Sequence, residues 1–194
     1  METVKSLVFK EKKIIILRHD FDWVHGLNLN VDRMFSIERK HEVRSTIFLR
    51  YDRGVSELKY QNFYKTLENN GWEFGLHLAN HVNSKELPSP LQELKKVRSL
   101  DLNILGVSAC GGNFKWNKSL GYLVQDSLGL NYICSDMVVM KPEDYKFKSI
   151  LTPFHLTLDG YLKTDGFVGF NRFLRAFTKK LEEQQTLAML THNT

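Results

Sequence analysis

"GWEFGLHLANH", residues 71–81, carries a helix stop, a buried strand and a polar strand end in one short run. Gly71 closes the helix-like stretch YQNFYKTLENN (60–70), where a glycine can take the left-handed backbone that ends a helix. WEFGLHL (72–78) reads as a strand, and HLANH is its polar end. His77 and His81 stand four apart, so on a helical turn both rings reach one ion. The zinc-protease pattern places a glutamate directly after the first histidine as general base. Leu78 stands there instead, which excludes that chemistry.

Working outward, the same unit recurs. KKIIILRHD (12–20), RSTIFLRY (44–51), ILGVSAC (104–110), LNYICSD (130–136), SILTPFHL (149–156) and TLAMLTH (186–192) read as further strands. Helical spacing marks NLNVDRMFSIERKH (28–41), SPLQELKKVRSL (89–100), NKSLGYLVQDSLG (117–129) and GFNRFLRAFTKKLEEQQ (169–185). Ser89 and Pro90 form a cap and first turn. No linker, repeat or low-complexity stretch divides residues 1–194, which predicts one α/β domain. Repeated βα units predict a parallel sheet, either closed as a barrel or open. Both forms carry their chemistry at the C-terminal ends of the strands.

Those ends are RHDFD, RYD, HLANH, ACGGN, CSD, PFH and THN. Carboxylates and imidazoles are costly in a core, so their accumulation at one rim points to a site. Asp20 and Asp22 share a strand face with Arg18 behind them. Two inward carboxylates repel unless a cation or a proton lies between them. A divalent metal resolves the conflict if one carboxylate binds it and the other takes a proton from water. His77 and His81 then complete two nitrogens and one oxygen, leaving positions open for water and substrate as in a catalytic zinc site. His192, from the last strand, is placed to protonate a leaving group.

The net charge of +5 is spread among acids, as in TKKLEEQQ (178–185), which argues against a nucleic-acid partner. No apolar run is long enough to span a membrane, and METVKSLVFKEKK (1–13) lacks the apolar core of a signal peptide. Cys110 and Cys134 are too few for a disulfide framework, so the expected location is a reducing cytoplasm.

The chain resembles the polysaccharide deacetylases, metal-dependent carbohydrate esterases that remove N-acetyl groups from amino sugars. RHDFDW (18–23) resembles the divergent Arg-His-Asp-x-Asp form of the family opening. RSTIFL (44–49) resembles its second strand, and GWEFGLHLANH resembles Gly-His-Glu-Ile-Gly-Asn-His-x-x-x-His. LNYICSD and LTHN (190–193) resemble its fifth-strand segment and final Leu-x-His. The resemblance implies a distorted (β/α)7 barrel. It makes Asp20 the base, Asp22, His77 and His81 the ligands of a divalent ion, and His192 the catalytic acid. The ion implied is zinc, with cobalt, nickel or manganese as alternatives. The family's two aspartates are adjacent whereas Phe21 separates these, so the exchanged assignment of Asp20 and Asp22 stays open.

The sequence departs from the family on the fourth strand. Arg-Pro-Pro-Tyr-Gly, whose arginine orients the base, is replaced by GVSACGGNFKWN (106–117). Arg18 is the candidate substitute if it points inward, the alternative being packing under the strand, and it is counted with the substrate-binding candidates. Gly111, Gly112 and Asn113 either offer backbone amides to substrate or simply make a tight turn, and His155 is a further substrate-binding candidate. Trp23 and Trp116 lie beside the rim and could stack on a sugar, whereas His19 alternates away from Asp20 and is read as packing. The implied activity is hydrolysis of a non-peptide C–N bond, an N-deacetylation in a surface-glycan or lipopolysaccharide precursor. The implied partner is an amino sugar on a nucleotide or lipid carrier. The rivals are a hydrolase of another small amide and a non-catalytic glycan- or partner-binding barrel.

Overall fold

The computed structural model describes residues 14–21, 29–52, 57–80, 85–109, 127–134, 150–151, 154–183 and 186–192. The expected βα order is present. β1 (Ile14–Phe21), β2 (Thr46–Leu49), β3 (Glu73–Leu78), β4 (Ile104–Ala109) and β5 (Tyr132–Cys134) are followed by β6 (Ile150–Leu151), β7 (Phe154–Thr157) and β8 (Thr186–His192). They form one sheet in the order β6-β5-β4-β3-β2-β1-β8-β7, with every pairing parallel. This is the architecture of a distorted (β/α) barrel.

Two predicted elements differ in detail. The strand expected at 149–156 divides, β6 pairing with β5 and β7 with β8 at opposite ends of the sheet. Residues 152 and 153 separate the two strands in sequence. The last helix starts earlier than its apolar spacing suggests, at Leu158, and runs to Glu183. Gly166 interrupts it with φ +54° and ψ −126°, so it is two helical runs across a kink. The helix expected over 117–129 lies mostly outside the described residues.

α1 (Leu29–Lys40), α2 (Gln61–Asn69) and α3 (Pro90–Arg98) cover one face of the sheet. Their buried Val31, Phe35, Tyr64, Leu67, Leu94 and Val97 meet the alternate strand residues Phe21, Ile47, Leu49, Phe74, Leu76 and Leu78 in one core. A smaller core of Leu156, Phe173 and Leu187 lies under α4, the Leu158–Glu183 helix. Gly71 ends α2 with φ +96°, as expected of a helix stop. Ser89 and Gln92 form a reciprocal capping box that starts α3, with Pro90 in its first turn.

Side chains alternate along a strand, so residues between the core positions face the other way, into the barrel. On β1 these are Arg18 and Asp20; on the other strands they include Phe48, Gly75, His77, Gly106, Ser108, Tyr132 and Cys134. Two glycines make this interior possible. A Cβ on Gly75 would lie 2.4 Å from the Phe48 ring, and one on Gly106 would lie 2.2 Å from the Tyr132 ring. Phe48 and Tyr132 therefore fill the interior one inward step before His77, Ser108 and Cys134, giving the polar groups an aromatic floor.

Candidate active site

Arg18 and Asp20 meet as a bidentate pair. Arg18 Nε donates to Asp20 Oδ1 and Nη2 to Oδ2, both at 2.7 Å. The two residues are 3% and 2% exposed. Burial opposes the guanidinium charge, but the Asp20 carboxylate overrides it and holds the Arg18 pKa above its ordinary value. The guanidinium lies 4.9 Å from the centre of the Phe48 ring, and Nη1 is 3.8 Å from Cys134 Sγ. Burial pushes the Cys134 thiol up, against the pull of Arg18.

His77 comes to the same carboxylate from β3, its Nε2 3.7 Å from Asp20 Oδ2. Its Nδ1 is 2.7 Å from Ser108 Oγ on β4. In the tautomer whose Nδ1–H donates to Ser108, Nε2 is the acceptor nitrogen and faces Asp20. This is how a metal-binding histidine is held by an outer partner. Of the expected ligands the described residues include His77 alone, and its chemistry suits a divalent ion: an imidazole nitrogen oriented from behind, beside a carboxylate held by Arg18. Among the described residues no three His, Cys, Asp or Glu side chains form a complete metal site. Two of the three expected ligands, Asp22 and His81, lie outside those residues.

Gly111, Gly112 and Asn113, directly after β4, also lie outside, as do Cys110, Trp23 and Trp116. His192 is the last residue of β8, in register with Asp20 on the neighbouring strand. His155 is on β7, one strand further, in register with Ala188. The fold thus brings Arg18, Asp20 and His77 into contact and sets the backbone of His192 beside Asp20. His155 stands two strands from β1.

The opposite face of β1 is more polar than expected. His19, read from sequence as packing, is buried, with Nε2 2.6 Å from Glu38 Oε1 and Nδ1 2.5 Å from Thr191 Oγ1. Glu38 also accepts from Ser45 Oγ at 2.8 Å and from Trp72 Nε1 at 2.6 Å. Burial works against the Glu38 charge, but the hydrogen bonds from His19, Trp72 and Ser45 outweigh it and lower its pKa. His19 therefore ties α1 and β1 to Thr191, the residue before His192. Trp72 belongs to this core and not to a sugar platform.

Sequence reasoning missed Ser108, Cys134 and Glu93. Ser108 and Cys134 are the inward positions of β4 and β5, a pattern readable from alternation once the inner face is fixed. Glu93 occupies an apolar-face position of α3 between Pro90, Leu94 and Val97, where a charge is out of place.

No family model matches the sequence, and no curated protein matches it. Solved structures do. The polysaccharide deacetylase Bc1974 from Bacillus cereus aligns at TM-score 0.59 with 12% identity, over 94% of this chain and 80% of that one. The Puue allantoinase aligns at TM-score 0.64 with 13% identity, over 95% and 80%. The catalytic domain of the peptidoglycan N-acetylglucosamine deacetylase from Eubacterium rectale aligns at 0.52 with 14% identity, over 96% and 79%. The chain shares their fold. At these identities the likeness is one of fold alone, and the chemistry must be argued from residues. Among the described residues, no helix is long and apolar enough to cross a membrane.

Proposed function

We propose that this chain is a metal-dependent hydrolase that cleaves the C–N bond of an N-acyl group on an amino sugar. The observation that carries the reading is the buried Arg18–Asp20 pair with His77 Nε2 at the same carboxylate. A carboxylate held at both oxygens beside an oriented imidazole is a base poised at a ligand site. In this reading Asp22, His77 and His81 hold a divalent ion, of which zinc is the first choice. Such an ion, when bound, acidifies water and polarises a carbonyl oxygen.

The chain's own residues supply the proton traffic. Asp20 accepts the proton of the water whose oxygen adds to the acyl carbon. Arg18 keeps the Asp20 carboxylate aimed, the task that the resembled family gives to a fourth-strand arginine. His192 donates a proton to the nitrogen as the C–N bond breaks, so a free amine and a carboxylate leave. Backbone amides of Gly111, Gly112 and Asn113, with His155, are assigned to the substrate. The two solved deacetylases on this fold support the amino-sugar substrate. We take the substrate to be a glycan precursor on a nucleotide or lipid carrier, met in the cytoplasm. A second reading keeps the chemistry and changes the amide, since the fold also carries an allantoinase.

Elemental analysis of the purified protein, joined to an acetate-release screen over N-acetylated sugars, tests the proposal. One equivalent of divalent metal with acetate release is the expected result. Metal without release from any sugar moves the case to the second reading. Protein free of metal, and inactive when zinc or cobalt is added, overturns the proposal in favour of a binding barrel.

A further inference from the structure

Glu93 is fully buried, yet it is a carboxylate on a helix whose other buried residues are Pro90, Leu94 and Val97. Both of its oxygens are engaged by backbone: Ala79 N–H donates to Oε2 at 2.9 Å and Asn80 N–H to Oε1 at 2.7 Å. Those two amides belong to the turn directly after β3, between His77 and His81. The same turn is held from its other side. The Asn80 amide Nδ2 donates to Pro88 O at 2.8 Å, and Asn80 is itself 1% exposed. Pro88 directly precedes the Ser89 cap of α3, so the start of one helix and the residues before it grip the turn through both Glu93 oxygens and the Asn80 side chain.

A buried carboxylate is costly, and an apolar residue at position 93 would suit the core better. Two adjacent N–H groups pointing the same way are a demand that a carboxylate side chain can meet with both oxygens. Aspartate is one methylene shorter. Glutamine presents one acceptor and turns the other position into a donor facing an N–H. The position thus requires glutamate for the sake of the turn, and the turn contains no residue of the hydrophobic core.

We propose that Glu93, assisted by Asn80, is a positioning residue of the metal centre. It fixes Ala79 and Asn80, the backbone directly after His77, so that this end of β3 is set before an ion arrives. The inference rests on the metal reading given above and deepens it, because it assigns the preorganisation of the turn after His77 to a side chain outside the assigned ligand set. Fixing a turn beforehand lowers the ordering cost of binding. Loss of an outer partner bonded directly to a ligand weakens a metal site by about 10- to 100-fold, and support of the backbone beside a ligand should fall at the low end of that range.

The test is Co(II) affinity of the metal-free full chain, measured by competition with a chromophoric chelator and by the visible absorption of the bound ion. Glu93→Gln should weaken Co(II) binding by about tenfold or more and alter the absorption bands. It should also speed amide hydrogen exchange at Ala79 and Asn80 in the metal-free protein. Leu94→Ala, on the same helix and pointing into the core, should lower Tm at least as much and leave Co(II) affinity within about twofold of the wild type. If Glu93→Gln fails to fold, Asn80→Ala releases the turn from its other side and is read in the same way. Wild-type Co(II) affinity in the glutamine variant overturns the positioning role while the metal reading stands. Equal weakening in Leu94→Ala overturns it too, since general loosening would then explain both. Absence of Co(II) binding by the wild type sinks the metal reading, and this inference with it, and is told apart because it precedes any substitution.

Discussion

Replacing Arg18 by methionine removes the charge and both hydrogen bonds while keeping most of the side-chain volume. Asp20 then stays 2% exposed with its bidentate partner gone. Removing one member of a buried ion pair costs roughly 3–5 kcal/mol, because the other charge loses its main compensation. Against a total stability of about 5–15 kcal/mol that is a large fraction. For a domain of this size it lowers Tm by roughly 6–20 °C. Asp20→Asn strands the guanidinium in turn and should cost a similar amount. The double variant removes both charges, so its loss should fall short of the sum of the singles by about 1–3 kcal/mol or more. Urea unfolding of the four proteins at one pH measures the cycle. Turnover separates structure from chemistry: the single and the double variant that carry Asp20→Asn should both lose about 10²-fold or more, whatever stability is recovered. A cost below about 1 kcal/mol for Arg18→Met, or additive singles, would refute the argument that this pair is buried and tightly coupled. Recovery of turnover in the double variant would refute Asp20 as the base.

A His77→Ala, His81→Ala double variant should purify without stoichiometric metal and without activity while its far-ultraviolet circular dichroism stays native; retained metal in elemental analysis would refute the ligand assignment. Deleting residues 192–194 removes no apolar strand residue, so metal and Tm should be retained while turnover of an unactivated amide falls severely and that of an activated ester falls less; equal losses would show that the tail shapes the site without donating a proton. Burial pushes the Glu93 pKa up to about 7 against its Ala79 and Asn80 donors, with Asp52 raising and Arg50 lowering it further. The folded chain then holds this proton more tightly than the unfolded one, so the contribution is complete below about pH 4.5 and is lost as pH rises through 7, by about 1–3 kcal/mol. Chemical denaturation between about pH 5.5 and 8 should show that fall in the wild type, and a wild-type slope persisting in Glu93→Gln would assign it to another group.

The fold was legible because a parallel sheet covered on its faces shows its strands as apolar runs, and IIIL at 14–17 or TIFL at 46–49 admits few other readings. The division of the sixth strand was not, because β6 is two residues long and no periodicity marks so short an element. The first run of α4 lies before the kink at Gly166, and helical spacing reads only from Gly169 onward. In the candidate site, Arg18, Asp20 and His77 stood out as charged or polar groups inside apolar strands. Ser108 and Glu93 did not, because their meaning lies in partners 31 and 13–14 residues away. A side chain that serves a distant backbone leaves only a weak trace in sequence, in this case one charge on the wrong side of a helix.

The chain also contains its own comparison for the Arg18–Asp20 pair. Arg50 and Asp52, again two apart and just after β2, form the same bidentate arrangement, Nε to Oδ1 at 2.8 Å and Nη2 to Oδ2 at 2.7 Å. Residues two apart share a strand face, and an arginine is long enough to reach forward to a carboxylate one step on. Local geometry therefore makes the pair readily, and its existence alone says nothing about chemistry. The surroundings separate the two. Arg50 and Asp52 have side chains 12% and 27% exposed, so solvent screens this pair more than it does the one on β1. Arg18 and Asp20 lie at 4% and 3%, over the Phe48 ring, with Cys134 on one side and His77 on the other. Desolvating two charges there opposes folding, and an apolar pair of the same volume would pack the barrel as well. The feature that an apolar pair could not reproduce is a carboxylate held in a fixed direction 3.7 Å from the Nε2 of an anchored imidazole. That distinction, and not the salt bridge itself, is why the pair on β1 is assigned to the reaction and the pair after β2 is not.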